Sequence, residues 1–168
     1  ETFRRLYFAT MQRRGAASRW FFPVSYFAPC VRRLGPERNA LFFARCEGEV
    51  AAPYLVLNDG QTAYYHFGGS DERWLERRPN NLLMFETLLW AKRRGLSYYH
   101  LGGGVSASGN DSLLRFKSSF GGRRALLYTY GRVLNEEVYR LLCERKRSYE
   151  ERSGQPAADP DYFPFYPR

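Results

Sequence analysis

Phe3, Leu6, Tyr7, Thr10 and Met11 recur at the spacing of one helix face, with Arg4, Arg5, Gln12 and Arg13 outside it. This predicts an N-terminal helix. After a loop with Gly15 and Pro23, Ser25 is placed to cap a second helix whose stripe is Phe27, Cys30, Val31 and Leu34. Pro29 falls in its first turn or just beyond, near where a missing N–H costs least, and Gly35-Pro36 stops it. The pattern then changes period. Three strands are predicted, roughly 40–46, 50–58 and 61–68, joined by the hairpin turns Glu47-Gly48 and Asp59-Gly60. Pro53 inside the second strand implies a bulge or a sheet edge. Residues 69–78 are polar and irregular. Residues 80–94 read as a strong helix ending before Gly95. Leu82, Leu83, Met84, Phe85, Leu88, Leu89 and Trp90 make it apolar almost all round, which predicts cover on most sides, with Glu86 and Arg93 as its polar strip.

A short strand at 97–101 leads into Gly102-Gly103-Gly104 and a loop to Asn110, then a short helix over 111–120 and a strand over 125–132. Asn135 is placed to cap a last helix, with Glu136 and Glu137 at the positive end of its dipole and Leu134, Val138, Leu141 and Leu142 as its stripe. Beyond Gly154 the chain is rich in Pro and aromatics and reads as an extended tail. The expected organisation is one α/β domain over 1–153, with a mixed, mostly antiparallel sheet flanked by helices, and a tail over 154–168.

Composition supports a packed core: 168 residues, 44% of them hydrophobic and 17% aromatic. Lys and Arg number 26 against 17 Asp and Glu, a formal charge of +9. That excess favours polyanions, whether RNA, DNA, anionic lipid or a nucleotide-linked substrate, or marks a basic protein without such a partner. No block of five like charges forms a dedicated basic arm. Cys30, Cys46 and Cys143 are widely spaced and lack any CxxC pair, so neither a zinc site nor a disulfide framework is indicated, and a reducing, cytoplasmic setting is expected. No apolar run approaches the ~20 residues of a membrane span.

The sharpest candidate for chemistry is the short helix. On a 3.6-residue wheel Leu113, Phe116, Lys117 and Phe120 share one face, while Arg115, Ser118 and Ser119 share the other. The ammonium of Lys117 therefore emerges from the apolar side. It either snorkels to water or faces a cavity, where it can stabilise a developing oxyanion. A second candidate is Arg77-Arg78-Pro79-Asn80-Asn81. Free N–H groups at a helix start and two arginines suit phosphate or carboxylate, or Asn80 simply caps the helix. The glycine run at 102–104 leads to Ser106, Ser108 and Asn110 and can line a site at the sheet end or serve as a plain connection. His66 and His100 are the two histidines; both sit in strand patterns, and no spacing supports a metal site.

Five separated stretches carry a resemblance: Tyr64-Tyr65-His66-Phe67-Gly68-Gly69-Ser70, Arg78-Pro79-Asn80-Asn81-Leu82-Leu83, Trp90-Ala91-Lys92-Arg93-Arg94-Gly95, His100-Leu101-Gly102-Gly103, and Leu114-Arg115-Phe116-Lys117-Ser118-Ser119-Phe120-Gly121. In this order they resemble the C-terminal GNAT-like lobe of FemABX-type aminoacyltransferases and the related single-domain BioF-like acetyltransferases. The order of elements is also that of a GNAT acyltransferase. The resemblance implies transfer of an amino acid from aminoacyl-tRNA to an amine of a peptidoglycan precursor or peptide, with no permanently bound cofactor. It places Phe116 and Lys117 at the transfer site, the lysine stabilising the oxyanion, and the helix start at Pro79, Asn80 and Asn81 near the donor, where Arg77 and Arg78 add positive charge. Tyr65, Tyr99, Gly103 and Arg115 are the expected substrate-binding residues. GNAT enzymes that use coenzyme A carry a glycine-containing loop before this helix, whereas no glycine lies between Gly69 and Gly95. Acetyl-CoA is the alternative donor, and a non-catalytic RNA- or partner-binding lobe the alternative role. The resemblance further implies a second GNAT-like lobe or a homodimer, and peripheral contact with a membrane-bound precursor at the inner membrane face.

Overall fold

A computed structural model of the chain describes residues 1–105, 111–126, 128, 130–154 and 164. Its contacts divide into two units, Glu1–Gly122 and Arg123–Arg168. The first contains helices α1 (Thr2–Arg13) and α2 (Val24–Arg38), strands β1 (Asn39–Cys46), β2 (Glu49–Asn58) and β3 (Thr62–Gly68), helix α3 (Pro79–Arg93), strand β4 (Tyr98–His100) and helix α4 (Ser112–Ser118). The second contains helix α5 (Glu136–Ser153). Among the described residues, no helix is long and apolar enough to cross a membrane.

The sheet order is β1-β2-β3-β4, antiparallel except for the β3–β4 pair. Its turns follow the expected chemistry. Glu47 and Gly48 both have positive φ, as a two-residue hairpin loop of matching twist requires. Asp59 turns the next hairpin by accepting hydrogen bonds from the N–H groups of Gln61 and Thr62.

Alternation along β2 sorts the core into two layers. Leu55 packs with Phe3 and Tyr7 of α1, joined by Phe27 and Val31 of α2 and by Phe67. Ala52 and Tyr54 face the other way, onto Leu83 and Met84 of α3, with Phe116 and Phe120 against the same cluster. The expected stripe of α1 is thus the buried one. Its end is tied to the exit of β3, where the Ser70 N–H donates to the Thr10 hydroxyl and Arg13 reaches the Ser70 side chain.

Two bulges shape the sheet. Ala44 pairs with Ala52 but Arg45 with Val50, leaving Ala51 as the extra residue of β2. Leu55 pairs with Phe67 but Val56 with Tyr65, leaving His66 extra in β3. The second bulge has a larger consequence. Residues 65 and 67 of a regular strand share a face, but here Phe67 packs towards α1 and α2 while Tyr65 packs towards α3 and α4.

Several expectations need correction. Of the two alternatives for Pro53, the edge does not hold, since β2 is an interior strand, but a bulge does lie nearby, at Ala51. The Pro53 carbonyl accepts from Gly69 N just beyond the end of β3, so the proline's missing donor falls where the ladder is already ending. Ser25 does not cap α2; Pro23 holds that position and Ser25 is inside the helix. The helix breaks at Gly35, as expected, and the buried Asn39 side chain collects the Val31 and Gly35 carbonyls freed there. Helix α3 is not covered on most sides: Leu82 and Phe85 are each 53% exposed, and the buried set is Pro79, Leu83, Met84, Thr87 and Ala91. Asn80 does not cap it; Arg78, in the left-handed conformation, precedes Pro79 at the first turn. No strand forms among the described residues of 125–132, where Leu126, Tyr128 and Tyr130 stand exposed; Leu127 and Thr129 lie outside them.

In the second unit, the Asn135 side chain accepts from Val138 N as an N-cap, and Gly154, in the left-handed conformation, closes α5. The expected stripe of α5 is open, with Leu134, Val138 and Leu141 exposed and Cys143 buried instead. The tail expected over 154–168 lies outside the described residues, Gly154 and Pro164 apart.

Candidate active site

Helix α4 begins at Asp111, whose Oδ1 accepts from Leu114 N at 2.8 Å, an ordinary N-cap contact. Its face then follows the wheel. Arg115 and Ser119 are exposed, Leu113, Phe116 and Phe120 are half-buried, and Lys117 is 6% exposed. Phe116 and Phe120 meet edge to face at 5.3 Å. Lys117 does not snorkel. Its Nζ donates to the Gly103 carbonyl at 2.7 Å and stands 5.1 Å from the centre of the Tyr65 ring. Burial pulls the lysine below its usual 10.5, and the negative charge of Asp111 acts against that pull.

The ring beneath the ammonium is fixed by its neighbours. Tyr65 and Tyr54 meet edge to face at 4.8 Å, and the Tyr54 hydroxyl donates to the Asn80 carbonyl at 3.2 Å. Burial raises the hydroxyl pKa of both, so each stays a neutral phenol through the physiological range. The path Asn80–Tyr54–Tyr65–Lys117 therefore connects the start of α3 to the last turn of α4. Asn80 also keeps a buried Oδ1 with no hydrogen-bond partner among the described residues. Gly68 makes the tyrosine packing feasible: a Cβ there would lie 2.5 Å from the Tyr65 hydroxyl and 2.8 Å from the Tyr54 ring.

The structure brings together only part of the expected set. Lys117, Phe116, Tyr65 and Gly103 converge, and Tyr99 joins the same apolar cluster. The Tyr99 hydroxyl is already engaged, donating to Thr87 Oγ1 at 3.0 Å, and burial raises it to about 12. Arg115 projects from the opposite face of α4. Arg77, Arg78 and Asn81 are exposed around the start of α3, and Asn80 alone of that group reaches the tyrosine path. Ser106, Ser108 and Asn110 lie outside the described residues. Sequence reasoning passed over Asp111, 6% exposed, and Tyr54, 1% exposed. An Asp three residues before Leu114 was a legible helix-cap signal; nothing local marked Tyr54.

A mixed four-stranded sheet with helices on both faces and its one parallel pair at β3–β4 is the layout of the GNAT fold. The chain belongs to the acetyltransferase (GNAT) domain family, the family associated with FemABX transferases, whose model matches residues 1–118. The matched segment ends one residue past Lys117 and lies within the first unit. Among curated proteins, the chain is similar to a UDP-N-acetylmuramoylpentapeptide-lysine N(6)-alanyltransferase of Weissella viridescens, 28% identical over 146 residues, or 86% of this chain. It spans 42% of that relative's length. Among solved structures it is similar to the aminoglycoside acetyltransferase HMB0005 from an uncultured soil metagenomic sample. That match has a TM-score of 0.56 at 14% identity, over 77% of this chain and 89% of the other. A tetramutant of the BH1408 protein from Bacillus halodurans matches with a TM-score of 0.53 at 16% identity, over 77% and 88%. At these identities the structural matches establish the fold alone.

Proposed function

We propose that this domain transfers an aminoacyl group from aminoacyl-tRNA to an amine of a peptidoglycan precursor or a related peptide. The observation that carries the reading is the buried ammonium of Lys117, held over the Tyr65 ring by the Gly103 carbonyl. An ammonium so placed is a desolvated donor, of most use where negative charge develops. Likeness to a named alanyltransferase over most of the chain supports the aminoacyl group and the acceptor class.

In this reading the acceptor nitrogen attacks the carbonyl carbon of the donor ester. The C=O electron pair moves to oxygen, and Lys117 Nζ donates a hydrogen bond to that oxyanion. Collapse restores C=O and expels the ribose oxygen, which takes up a proton as the new amide nitrogen gives one up. Phe116 walls the site with Phe120. The exposed Arg77 and Arg78 supply positive charge to the donor's phosphates. Non-glycine Arg78 at φ 53° occupies the approach to α3, so no glycine loop there admits a pyrophosphate close to the backbone, which favours tRNA over acyl-CoA.

The test is direct detection of acyl transfer to a lysine-containing precursor peptide from a pool of charged tRNAs, in parallel with acetyl-CoA. Transfer from charged tRNA, lost in Lys117→Met, is the expected result. Transfer from acetyl-CoA alone replaces the donor, and tRNA binding without transfer from any donor replaces catalysis with a binding role. Wild-type turnover by Lys117→Met removes the lysine from the mechanism.

A further inference from the structure

Two buried charged side chains of one short segment grip four consecutive loop residues. Gly102 has φ +73°, and a Cβ there would lie 3.3 Å from Lys117 Nζ. The Gly103 carbonyl accepts from that same Nζ. A Cβ at Gly104 would collide with the Asp111 carboxylate, and Val105 N donates to Asp111 Oδ2. The glycine run is therefore shaped to receive Lys117 at its start and Asp111 at its end. Because Asp111 Oδ1 also caps α4 through Leu114 N, one carboxylate fixes both the helix that carries the lysine and the loop that holds its ammonium.

We propose that Asp111 is a positioning residue for acyl transfer: it locks the 102–105 loop to the start of α4 and so holds the Gly103 carbonyl over Lys117 Nζ. The proposal rests on the transfer reading above and extends it to a residue that does not touch the substrate. The ammonium is faced by Asp111 from its own segment and by the neutral phenol of Tyr65 from β3. Tyr54 of β2 and Tyr99 of β4 lie in the same cluster, and exposed His100 accepts from Gly102 N. Among these described groups Asp111 is the anion. Its charge opposes the burial that lowers the Lys117 pKa.

The direction follows. Catalysis needs Lys117 protonated, so activity falls as pH rises through its folded pKa. Removing the Asp111 charge lowers that pKa and moves the alkaline limb to lower pH. Two measurements on wild type and Asp111→Asn test this: NMR titration of the Lys117 Cε and Nζ signals, and the pH profile of transfer. The expected result in Asp111→Asn is a Lys117 titration at lower pH than in wild type, with the alkaline limb of kcat/KM displaced alike. Loss of kcat by about tenfold or more, with little change in KM, accompanies it, and lower pH recovers part of the activity. Gly104→Ala, which drives a methyl against the carboxylate, is expected to act in the same direction and serves if Asp111→Asn does not fold. A Lys117 titration unchanged in the variant, or an activity loss with an unmoved alkaline limb, overturns the proposal. If the wild type transfers nothing from any donor, the transfer reading falls, while the NMR titration still decides whether Asp111 holds the lysine charged.

Discussion

Replacing Lys117 with methionine should leave the first unit at least as stable as wild type while removing transfer. Methionine keeps almost the whole stem of the lysine in the apolar face of α4 and removes its charge. What is lost is the hydrogen bond to the Gly103 carbonyl. Gly103 is exposed, so water can take up that carbonyl, and the loss costs about 1 kcal/mol or less. What is gained is relief from burying an ammonium at 6% exposure, a penalty of several kcal/mol that Asp111 and Gly103 offset only in part. The net expectation at neutral pH is a change between zero and about 2 kcal/mol in favour of Lys117→Met. Lys117→Ala, which also removes the stem, should lose about 2 kcal/mol relative to methionine. The pH dependence carries a second signature. The folded pKa of Lys117 lies below its usual 10.5, so between the two values the unfolded chain holds a proton the folded one has lost. Wild-type stability should therefore rise with pH through that window, relative to Lys117→Met. The buried phenols of Tyr54, Tyr65 and Tyr99 act oppositely. Their raised values make the unfolded chain deprotonate first above pH 10, so stability falls there in both proteins, and the difference between them isolates the lysine. Urea unfolding of both proteins at steps from pH 7 to about 11 measures both effects. A Lys117→Met protein more than about 2 kcal/mol less stable than wild type, with a flat pH difference, would show a fully compensated structural ion rather than a charge retained for chemistry.

Further substitutions test the packing around the site. Thr87 is fully buried, accepts from the Tyr99 hydroxyl and donates to the Met84 carbonyl; Thr87→Val should cost about 1–3 kcal/mol by stranding that hydroxyl. Tyr99→Phe should cost less, and the double variant less than the sum, with the KM for acceptor unchanged by Tyr99→Phe; additive costs or a raised KM would return Tyr99 to the substrate. Gly69→Ala should destabilise by about 1–3 kcal/mol, because its Cβ would meet the Leu6 carbonyl oxygen at 2.7 Å and Tyr7 N at 2.9 Å, both backbone atoms of α1. An unchanged unfolding midpoint would refute that account of the glycine.

The amount legible from sequence differs from element to element. Glu47-Gly48 and Asp59-Gly60 announced two hairpins because turn type depends on a few adjacent residues. The wheel of α4 placed Lys117 on the inner face because a 3.6-residue period is fixed by the local backbone. The same local logic predicts a strand at 125–132, and none forms among the described residues there. Leu126, Tyr128 and Tyr130 alternate as a strand should, yet they stand exposed, since a strand needs a neighbour to pair with and no local pattern supplies one. The composition of helix α3 predicts cover on most sides, but it could not say that Leu82 and Phe85 would stand exposed among the described residues. The Gly68-Gly69 pair invited a motif reading, and its physical reason is close packing against Tyr54, Tyr65 and the backbone of α1.

Short-range patterns determined the class of fold, the hairpin meander, the helix faces and the inward direction of Lys117, because each depends on residues within one turn or one hairpin. What faces that lysine was decided only by tertiary structure. The bulge at His66 turns Tyr65 to the α3 side of the sheet, against the two-residue period, and the partner of the ammonium is a carbonyl 14 residues away. The Asp111 carboxylate accepts from both Leu114 N and Val105 N, a link between helix and loop that the sequence reading passed over. Those relations join segments far apart in the chain, and packing selects them through contacts that no window of sequence contains.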